Sequence, residues 1–214
     1  LKFLSRTKPN FFIAHLITSL PITIFNIFNL NTKLILRISG YPKLNFIRKL
    51  FWKKSVNNIF HVTCPSRQLL QKLAEAKIFS ISKMSFLPDA VISYEDFKSD
   101  VSKKIELNVF KTHKKIILAA GRLTKQKNFS FLVNEFSEFS KKNENYILII
   151  LGEGEERKNL NKLIFKNKMN NRIFIPGKVS GIYKYMKKSD VFVLSSLWEE
   201  VGFVMVEAAL TNLF

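Results

Sequence analysis

The chain has 214 residues, of which 47% are hydrophobic and 24% are charged, and this balance excludes a disordered chain and is typical of folded globular proteins. A single cysteine, Cys64, excludes a disulfide framework and fits a reducing compartment, and no Cys/His cluster has the spacing of a zinc site. The formal net charge of +19 favours anionic partners, namely nucleic acid, an acidic membrane surface or phosphorylated ligands.

Short apolar runs alternate with amphipathic runs in the first half of the chain. Strands are predicted at 11–14, 33–38, 58–63 and 84–87, and helices at 21–28, 44–56 and 66–76, with Ser66 as an N-cap. Residues 93–112 interrupt this alternation because polar and charged residues dominate there. We therefore predict that 93–112 form an interdomain linker, with room for a short helix.

The alternation resumes in the second half. Strands are predicted at 115–119, 146–151, 172–175 and 191–194, and helices at 129–140, 155–167, 181–187 and 203–210. Strands that are apolar throughout and alternate with helices indicate parallel sheets covered on both faces. The sequence therefore predicts an α/β fold of two Rossmann-like domains, at 1–92 and 113–214, that bind ligands beyond the carboxyl ends of their strands.

Residues 120–128 (AGRLTKQKN) follow the predicted strand 115–119. Gly121 permits a tight turn or a close approach of the backbone to a ligand. Arg122 and Lys127 put two cations near the carboxyl end of the strand, where together with a helix N-terminus they would suit a diphosphate. The alternative is that both are solvated loop charges in a lysine-rich protein.

Residues 196–208 (SLWEEVGFVMVEA) follow the predicted strand 191–194. Gly202 and Phe203 begin a helix whose first amides are free to meet an anion. Glu199 lies in the preceding loop, and Glu207 lies inside the helix, where its carboxylate can accept hydrogen bonds from the vicinal hydroxyls of a ribose. The alternative is that Glu199 only favours the helix N-terminus and that Glu207 is a surface residue.

Two further segments follow predicted strands, LGEGEER at 151–157 and IPGKV at 175–179. Taken alone, Gly152 and Gly154 indicate a simple strand-to-helix turn. In their order and spacing, however, the four segments resemble the C-terminal domain of retaining GT-B glycosyltransferases of the group 1 type across roughly residues 113–214. Glu199 and Glu207 match that family's pair of glutamates.

The resemblance implies a role for each of these residues. Arg122 and Lys127 would hold the donor diphosphate and stabilise the leaving nucleotide, and Glu199 would lie near the transferred sugar. The donor site would be completed by the backbone at Gly121, Gly202 and Phe203 and by Glu207 at the ribose. The resemblance also implies a reaction that needs no metal or other cofactor.

The first half is similar to the later part of the family's acceptor-side domain, on the segments LRISGYP at 36–42, VTCPS at 62–66 and LPDAV at 87–91. Many relatives carry His where this chain has Ser39, and His15 is interpreted as structural. The chain begins with Leu1 instead of Met, and residues 211–214 carry no helix stop signal. We therefore expect a fragment, truncated at both ends.

Residues 43–54 (KLNFIRKLFWKK) predict an amphipathic basic helix with Leu44, Ile47, Leu50 and Phe51 on one face. Residues 1–90 carry 14 Lys and Arg against two acidic residues, whereas residues 91–214 carry 21 against 14. Such a helix can lie on an anionic bilayer, or it can pack on its own domain with a solvated cationic side. The run 11–30 is too interrupted by polar residues to span a membrane.

The resemblance implies an enzyme, a hexosyltransferase-type glycosyltransferase that moves a sugar with retention from a nucleotide-sugar donor to a glycan or lipid-linked acceptor. The resemblance to bacterial members of the family also implies a role in cell-surface polysaccharide or lipopolysaccharide synthesis, in the cytoplasm or at the inner face of the plasma membrane. The alternatives are a nucleotide-sugar epimerase or phosphorylase, a non-catalytic membrane-surface protein and a basic nucleic-acid-binding module. We expect no nucleic-acid partner, because most phenylalanines lie at core-like positions.

Overall fold

The computed structural model describes residues 2–15, 19–28, 31–42, 46–89, 92–199 and 202–213. By its contacts the chain divides into two units, Leu1–Asp89 and Ala90–Phe214. Within the described residues each unit contains one parallel sheet of four strands. None of the described helices is long and apolar enough to cross a membrane.

The first unit has strands that follow one another across the sheet in the order β1-β2-β3-β4. Its elements are α1 (Lys2–Thr7), β1 (Phe11–His15), α2 (Ser19–Ile27), β2 (Lys33–Arg37), α3 (Phe46–Ser55), β3 (Ile59–Cys64), α4 (Arg67–Glu75) and β4 (Met84–Phe86), with 3-10 turns at Val56–Asn58 and Ile81–Lys83. The row Ala14, Leu36, Val62 and Met84 runs across the sheet and is buried. It forms one core with residues of α2, α3 and α4. This is expected because right-handed crossovers that always step in the same direction along a sheet place their helices on the same face.

The second unit has strands in the order β7-β6-β5-β8. Its elements are α5 (Tyr94–Val101), β5 (Lys115–Ala120), α6 (Phe129–Ser140), β6 (Tyr146–Leu151), α7 (Arg157–Lys166), β7 (Ile173–Gly177), α8 (Tyr183–Lys187), β8 (Val191–Phe192) and α9 (Phe203–Leu210), with 3-10 turns at Asn108–Phe110 and Lys125–Lys127. Residues of α6 and α7 pack on one face of the sheet, and residues of α8 and α9 pack on the other. Both faces are therefore covered, which explains why β5 and β6 are apolar after their first residues, Lys115 and Tyr146.

Strand β5 lies between β6 on one side and β8 on the other. The chain moves outward from β5 to β6 and β7 and then returns to β8, so the direction of winding reverses at β5. In open parallel sheets such a reversal leaves a crevice between the loops that follow the two strands, and ligands bind there. The crevice of this unit is formed by the loops after β5 and β8.

The α/β fold predicted from the sequence is confirmed, and so is the Ser66 cap, whose hydroxyl accepts a hydrogen bond from the Leu69 amide at 3.1 Å. The boundary between the units differs from the predicted one. Residues 93–112 do not form a free linker, because α5 packs on α8 through the rings of Phe97 and Tyr183, and Phe110 is buried in the second unit's core. The acceptor-side and donor-binding roles of the two units stay a prediction.

Two expectations about apolar residues are corrected. Of the described phenylalanines five are buried and ten are exposed, so most do not lie in the core. The apolar face predicted for the basic helix is also wrong, because α3 is anchored by Trp52 and Ser55, while Ile47 and Leu50 face solvent. Leu44 lies outside the described residues. Periodicity finds an apolar face, but it cannot tell which face a sheet covers.

Candidate functional site

The loops that follow β5, β6 and β7 are joined by backbone hydrogen bonds. The Gly121 amide donates to the Leu151 carbonyl at 3.0 Å, and the Gly152 amide donates to the Gly177 carbonyl at 2.9 Å. A Cβ atom on Gly152 would lie only 1.8 Å from the carbonyl oxygen of Gly121, so only glycine fits there. These contacts fix the backbone at the start of the segment that carries Arg122 and Lys127.

The loops after β5 and β8 are joined across the crevice. The Ser195 hydroxyl donates to the Lys127 carbonyl at 2.8 Å, and the Leu197 amide donates to the Gln126 carbonyl at 2.9 Å. The Gln126 side chain donates in return to the Trp198 carbonyl at 2.9 Å. The 3-10 turn Lys125–Lys127 is therefore attached to the loop that carries Glu199.

Lys127 and Glu199 form an ion pair within this frame. The Lys127 Nζ and the Ser196 hydroxyl both donate to Glu199 Oε1, each at 2.5 Å. The side chains of Lys127 and Glu199 are only 15% and 22% exposed. The stem of Lys127 passes close to Gly121, since a Cβ atom there would lie 3.1 Å from Lys127 Cε. The three predicted residues Gly121, Lys127 and Glu199 are therefore adjacent.

The ion pair keeps Glu199 ionised. Burial raises the pKa of Glu199, but the hydrogen bonds from Lys127 and Ser196 and the positive charge of Lys127 outweigh burial and leave the pKa below its usual range. A carboxylate with a lowered pKa is a poor general acid at neutral pH. The arrangement suits Glu199 as a fixed acceptor of hydrogen bonds, with Oε2 free of hydrogen bonds from the described residues.

The other predicted residues lie in the loop after β5, at the start of α9 and within α9. Arg122 is exposed, and no hydrogen bond or ion pair from the described residues engages its guanidinium. Gly202, with φ at 67°, precedes Phe203, the first residue of α9, and a Cβ atom on Gly202 would lie 3.9 Å from Glu199 Cβ. Glu207 is half-buried on α9 and has no hydrogen bond within the described parts of the chain; burial raises its pKa.

The sequence prediction missed three residues that hold the site together: Gln126, Ser195 and Ser196. The hydrogen bonds of Gln126 and Ser195 join residues that lie 72 and 68 positions apart, and no local pattern reports such contacts. Ser196 acts locally, because it donates to Glu199 in the same loop. The available signal was the position of the two serines directly after the predicted strand 191–194, at the edge of the sheet where ligands bind.

Residues 100–212 match the family described as glycosyl transferases group 1. The chain belongs to this family. This group 1 chain is 29% identical over 229 residues to an uncharacterized glycosyltransferase of Methanocaldococcus jannaschii, an alignment that covers 100% of the chain and 56% of the relative. It is 27% identical over 191 residues to the N-acetylgalactosamine-N,N'-diacetylbacillosaminyl-diphospho-undecaprenol 4-alpha-N-acetylgalactosaminyltransferase of Campylobacter jejuni, covering 85% of the chain and 49% of that protein. The chain thus spans about half the length of these curated relatives.

The fold of the group 1 chain is similar to that of HepE from Anabaena, solved in complex with UDP. The TM-score is 0.77 at 17% sequence identity, and the match covers 99% of this chain and 60% of HepE. A likeness at this level of identity concerns the fold, and it confirms the predicted GT-B fold class. The roles of the individual site residues stay predictions.

Ser196→Ala is expected to raise the pKa of Glu199, because burial persists while one of two hydrogen bonds to the carboxylate is lost. The folded-state pKa lies below the unfolded value, so this bond stabilises the fold above the unfolded pKa, and the contribution disappears as pH falls through the folded pKa. A hydrogen bond to a charged group contributes about 1.5–3 kcal/mol. The stability gap between wild type and Ser196→Ala, measured by urea unfolding, should be of this size at pH 7 and should shrink towards pH 4.

The matched control is Ser195→Ala, because the Ser195 hydroxyl donates to a neutral carbonyl. Its stability gap should not change between pH 7 and pH 4. Parallel pH curves for the two variants would contradict the role given to Ser196.

Proposed function

We propose that this chain binds the diphosphate of a nucleotide-sugar donor and takes part in transferring the sugar to a glycan or lipid-linked acceptor. The observation that carries the proposal is the position of Lys127, a largely buried cation at the reversal point of the sheet, with Arg122, which pairs with none of the described residues, in the same loop. Ligands of parallel sheets bind at such a point, and cations beside a helix N-terminus are suited to phosphates. The first turn of α9 supplies that N-terminus at Gly202 and Phe203.

The proposed chemistry is stabilisation of the departing nucleoside diphosphate. Negative charge develops on the diphosphate oxygen as the bond to the sugar breaks, and fixed cations in a site with little water lower the energy of that state. Lys127 and Arg122 would supply this charge. Glu199 would hold Lys127 in place before the donor arrives and would accept hydroxyl hydrogen bonds from the sugar through its Oε2 atom.

Glu207 is proposed to bind the ribose. Burial raises its pKa, and no hydrogen bond from the described residues offsets the cost of keeping its charge. Two vicinal hydroxyls can donate to one carboxylate. A bound ribose would therefore supply hydrogen-bond partners that the described residues do not provide to this glutamate.

We also propose that transfer proceeds with retention and serves cell-surface polysaccharide or lipopolysaccharide synthesis, in the cytoplasm or at the inner face of the plasma membrane. The family match supports this, as does the Campylobacter relative, whose name specifies a diphospho-undecaprenol substrate. No metal or other cofactor is included in the proposal, because Lys127, Arg122 and the α9 amides would supply the positive charge. Transfer that survives saturating EDTA would support this part.

The test of donor binding is a titration with UDP, read out by the fluorescence of Trp198, which adjoins Glu199 and is exposed. We expect saturable binding of UDP, and we expect the fluorescence change to be lost in Trp198→Phe.

Glu207→Gln should weaken UDP binding about 10- to 100-fold, because a charge-assisted hydrogen bond contributes about 1.5–3 kcal/mol. Glu207→Gln should also melt at a higher temperature than wild type at pH 7. Burial raises the pKa of Glu207 in the folded protein, so the folded state loses stability as pH rises through this pKa and the carboxyl group ionises. Glutamine stays neutral and removes this loss.

Glu135→Gln is the matched control, because Glu135 is exposed on α6 and has no hydrogen bond within the described residues. It should leave UDP binding unchanged. Wild-type affinity in Glu207→Gln would contradict the ribose role. Product analysis with UDP-sugars and a lipid extract then separates the enzyme classes, since transfer releases UDP, whereas an epimerase returns an intact nucleotide sugar.

A further inference from the structure

The outward faces of α2 and α3 in the first unit form a surface that combines large apolar side chains with lysines. We call it the α2–α3 surface. It consists of Ile24, Ile27, Phe28, Phe46, Ile47, Lys49, Leu50, Lys53 and Lys54. A helix on the surface of a soluble domain normally turns a polar face to water. Here that face is apolar and cationic.

Helix α3 shows this inversion clearly. Trp52 and Ser55 are buried and hold the helix on the core, with exposed fractions of 3% and 0%. Phe46, Ile47 and Leu50 lie on the opposite side, and their exposed fractions are 84%, 65% and 60%. The free energy of leaving such side chains in water is unfavourable, so an apolar phase that covers them would be favoured.

Helix α2 extends the same surface. It is buried through Ile22 and Phe25, whereas Ile27 and the following Phe28 are 74% and 59% exposed. The two helices are neighbours, because the Thr23 and Ser55 hydroxyls lie 2.7 Å apart and form a hydrogen bond. The exposed apolar side chains of α2 and α3 therefore belong to two helices that pack against each other.

The charge of this region identifies the partner. Residues 1–74 contain 12 Lys and Arg and no Asp or Glu. Lys49, Lys53 and Lys54 are exposed, and no described acidic group pairs with them. A second copy of the chain would present the same positive charge and be repelled. Nucleic acid would satisfy the lysines, but it offers no apolar phase for aliphatic side chains.

We propose that the α2–α3 surface docks on an anionic lipid bilayer. The apolar side chains enter the boundary between headgroups and acyl chains, while the lysines extend to the lipid phosphates. The inference rests on the first unit alone and does not depend on donor binding by the second.

The test is co-sedimentation of the full chain with vesicles of phosphatidylcholine alone or with 30 mol% phosphatidylglycerol added. The wild-type chain should bind the anionic vesicles and should not bind the neutral ones. Each lysine near an anionic surface contributes about fivefold to binding, so the triple variant Lys49→Gln/Lys53→Gln/Lys54→Gln should lose about 100-fold. Ile47→Ser/Leu50→Ser should lose at least about 10-fold, because burial of aliphatic groups is removed. Both variants change exposed residues and should keep the wild-type melting temperature.

The matched charge control is Lys158→Gln/Lys162→Gln/Lys166→Gln, which removes three exposed lysines from α7 in the second unit. Phe165→Ser, also on α7, is the matched apolar control, because Phe165 is exposed. Both controls should bind anionic vesicles within about twofold of wild type. Three results would each overturn the proposal. The α7 and α3 lysine variants could lose vesicle binding equally, Ile47→Ser/Leu50→Ser could bind vesicles as wild type does, or the chain could bind duplex DNA and not vesicles.

Discussion

Lys127→Met is expected to lower kcat/KM for sugar transfer by about 1,000-fold, because removing one fixed donor from a developing anion costs about 10²–10³-fold and this donor also carries a charge. Methionine keeps an unbranched apolar stem against Gly121, so the change removes mainly the ammonium group. Glu199 then keeps its burial but loses its counterion, and its pKa should rise. The measurement is the initial rate of transfer from a UDP-sugar, with UDP affinity from Trp198 fluorescence.

Lys125→Met is the matched control for this variant. Lys125 belongs to the same 3-10 turn and is exposed, and no described residue forms an ion pair with it. Its removal changes the net charge equally and should alter kcat/KM by less than about twofold, in line with the small effect of exposed charges. Equal losses in the two variants would indicate general electrostatic attraction of the donor and contradict a specific role for Lys127.

The sequence predicted β5 and β6 of the second sheet well because these central strands are buried on both faces. A strand in that position is a continuous apolar run, and the run YILIIL gave the bounds of Tyr146–Leu151 correctly. The helix Phe129–Ser140 was also predicted with its observed bounds, because its buried residues recur at helical spacing. Local pattern and tertiary burial agree in these elements.

Contacts between distant segments could not be predicted in the same way. The sequence placed Lys127 and Glu199 at strand ends, but their pairing depends on β8 lying beside β5, which is a property of the topology. Asp100 shows the same limit: its carboxylate accepts a hydrogen bond from the Tyr183 amide at 2.8 Å, 83 residues away. A polar residue buried by such a contact looks like a solvated one in the sequence, and this is why 93–112 was predicted to be a linker.

Gly152→Ala is expected to destabilise the second unit by at least about 3 kcal/mol, at the upper end of the usual cost of overpacking. The added Cβ atom would lie 1.8 Å from the Gly121 carbonyl oxygen, which is backbone and cannot rotate away. The loops after β5 and β6 must therefore separate, which breaks the hydrogen bond from Gly121 to Leu151. Because Lys127 packs against Gly121, UDP binding should fall along with stability.

Gly202→Ala separates the effect of this clash from the loss of a glycine as such. The nearest atom to a Cβ on Gly202 is 3.6 Å away, so the cost comes only from φ at 67°, about 1–2 kcal/mol for a side chain in the left-handed region. Urea unfolding gives the two stabilities, and hydrogen exchange of the β5 and β6 amides locates the change, with β2 and β3 of the first unit as an internal reference. If Gly152→Ala costs no more than Gly202→Ala, the two loops are not packed as tightly as described. If it costs more and also abolishes UDP binding, the close contact of two backbones is what holds the cation of Lys127 in the crevice.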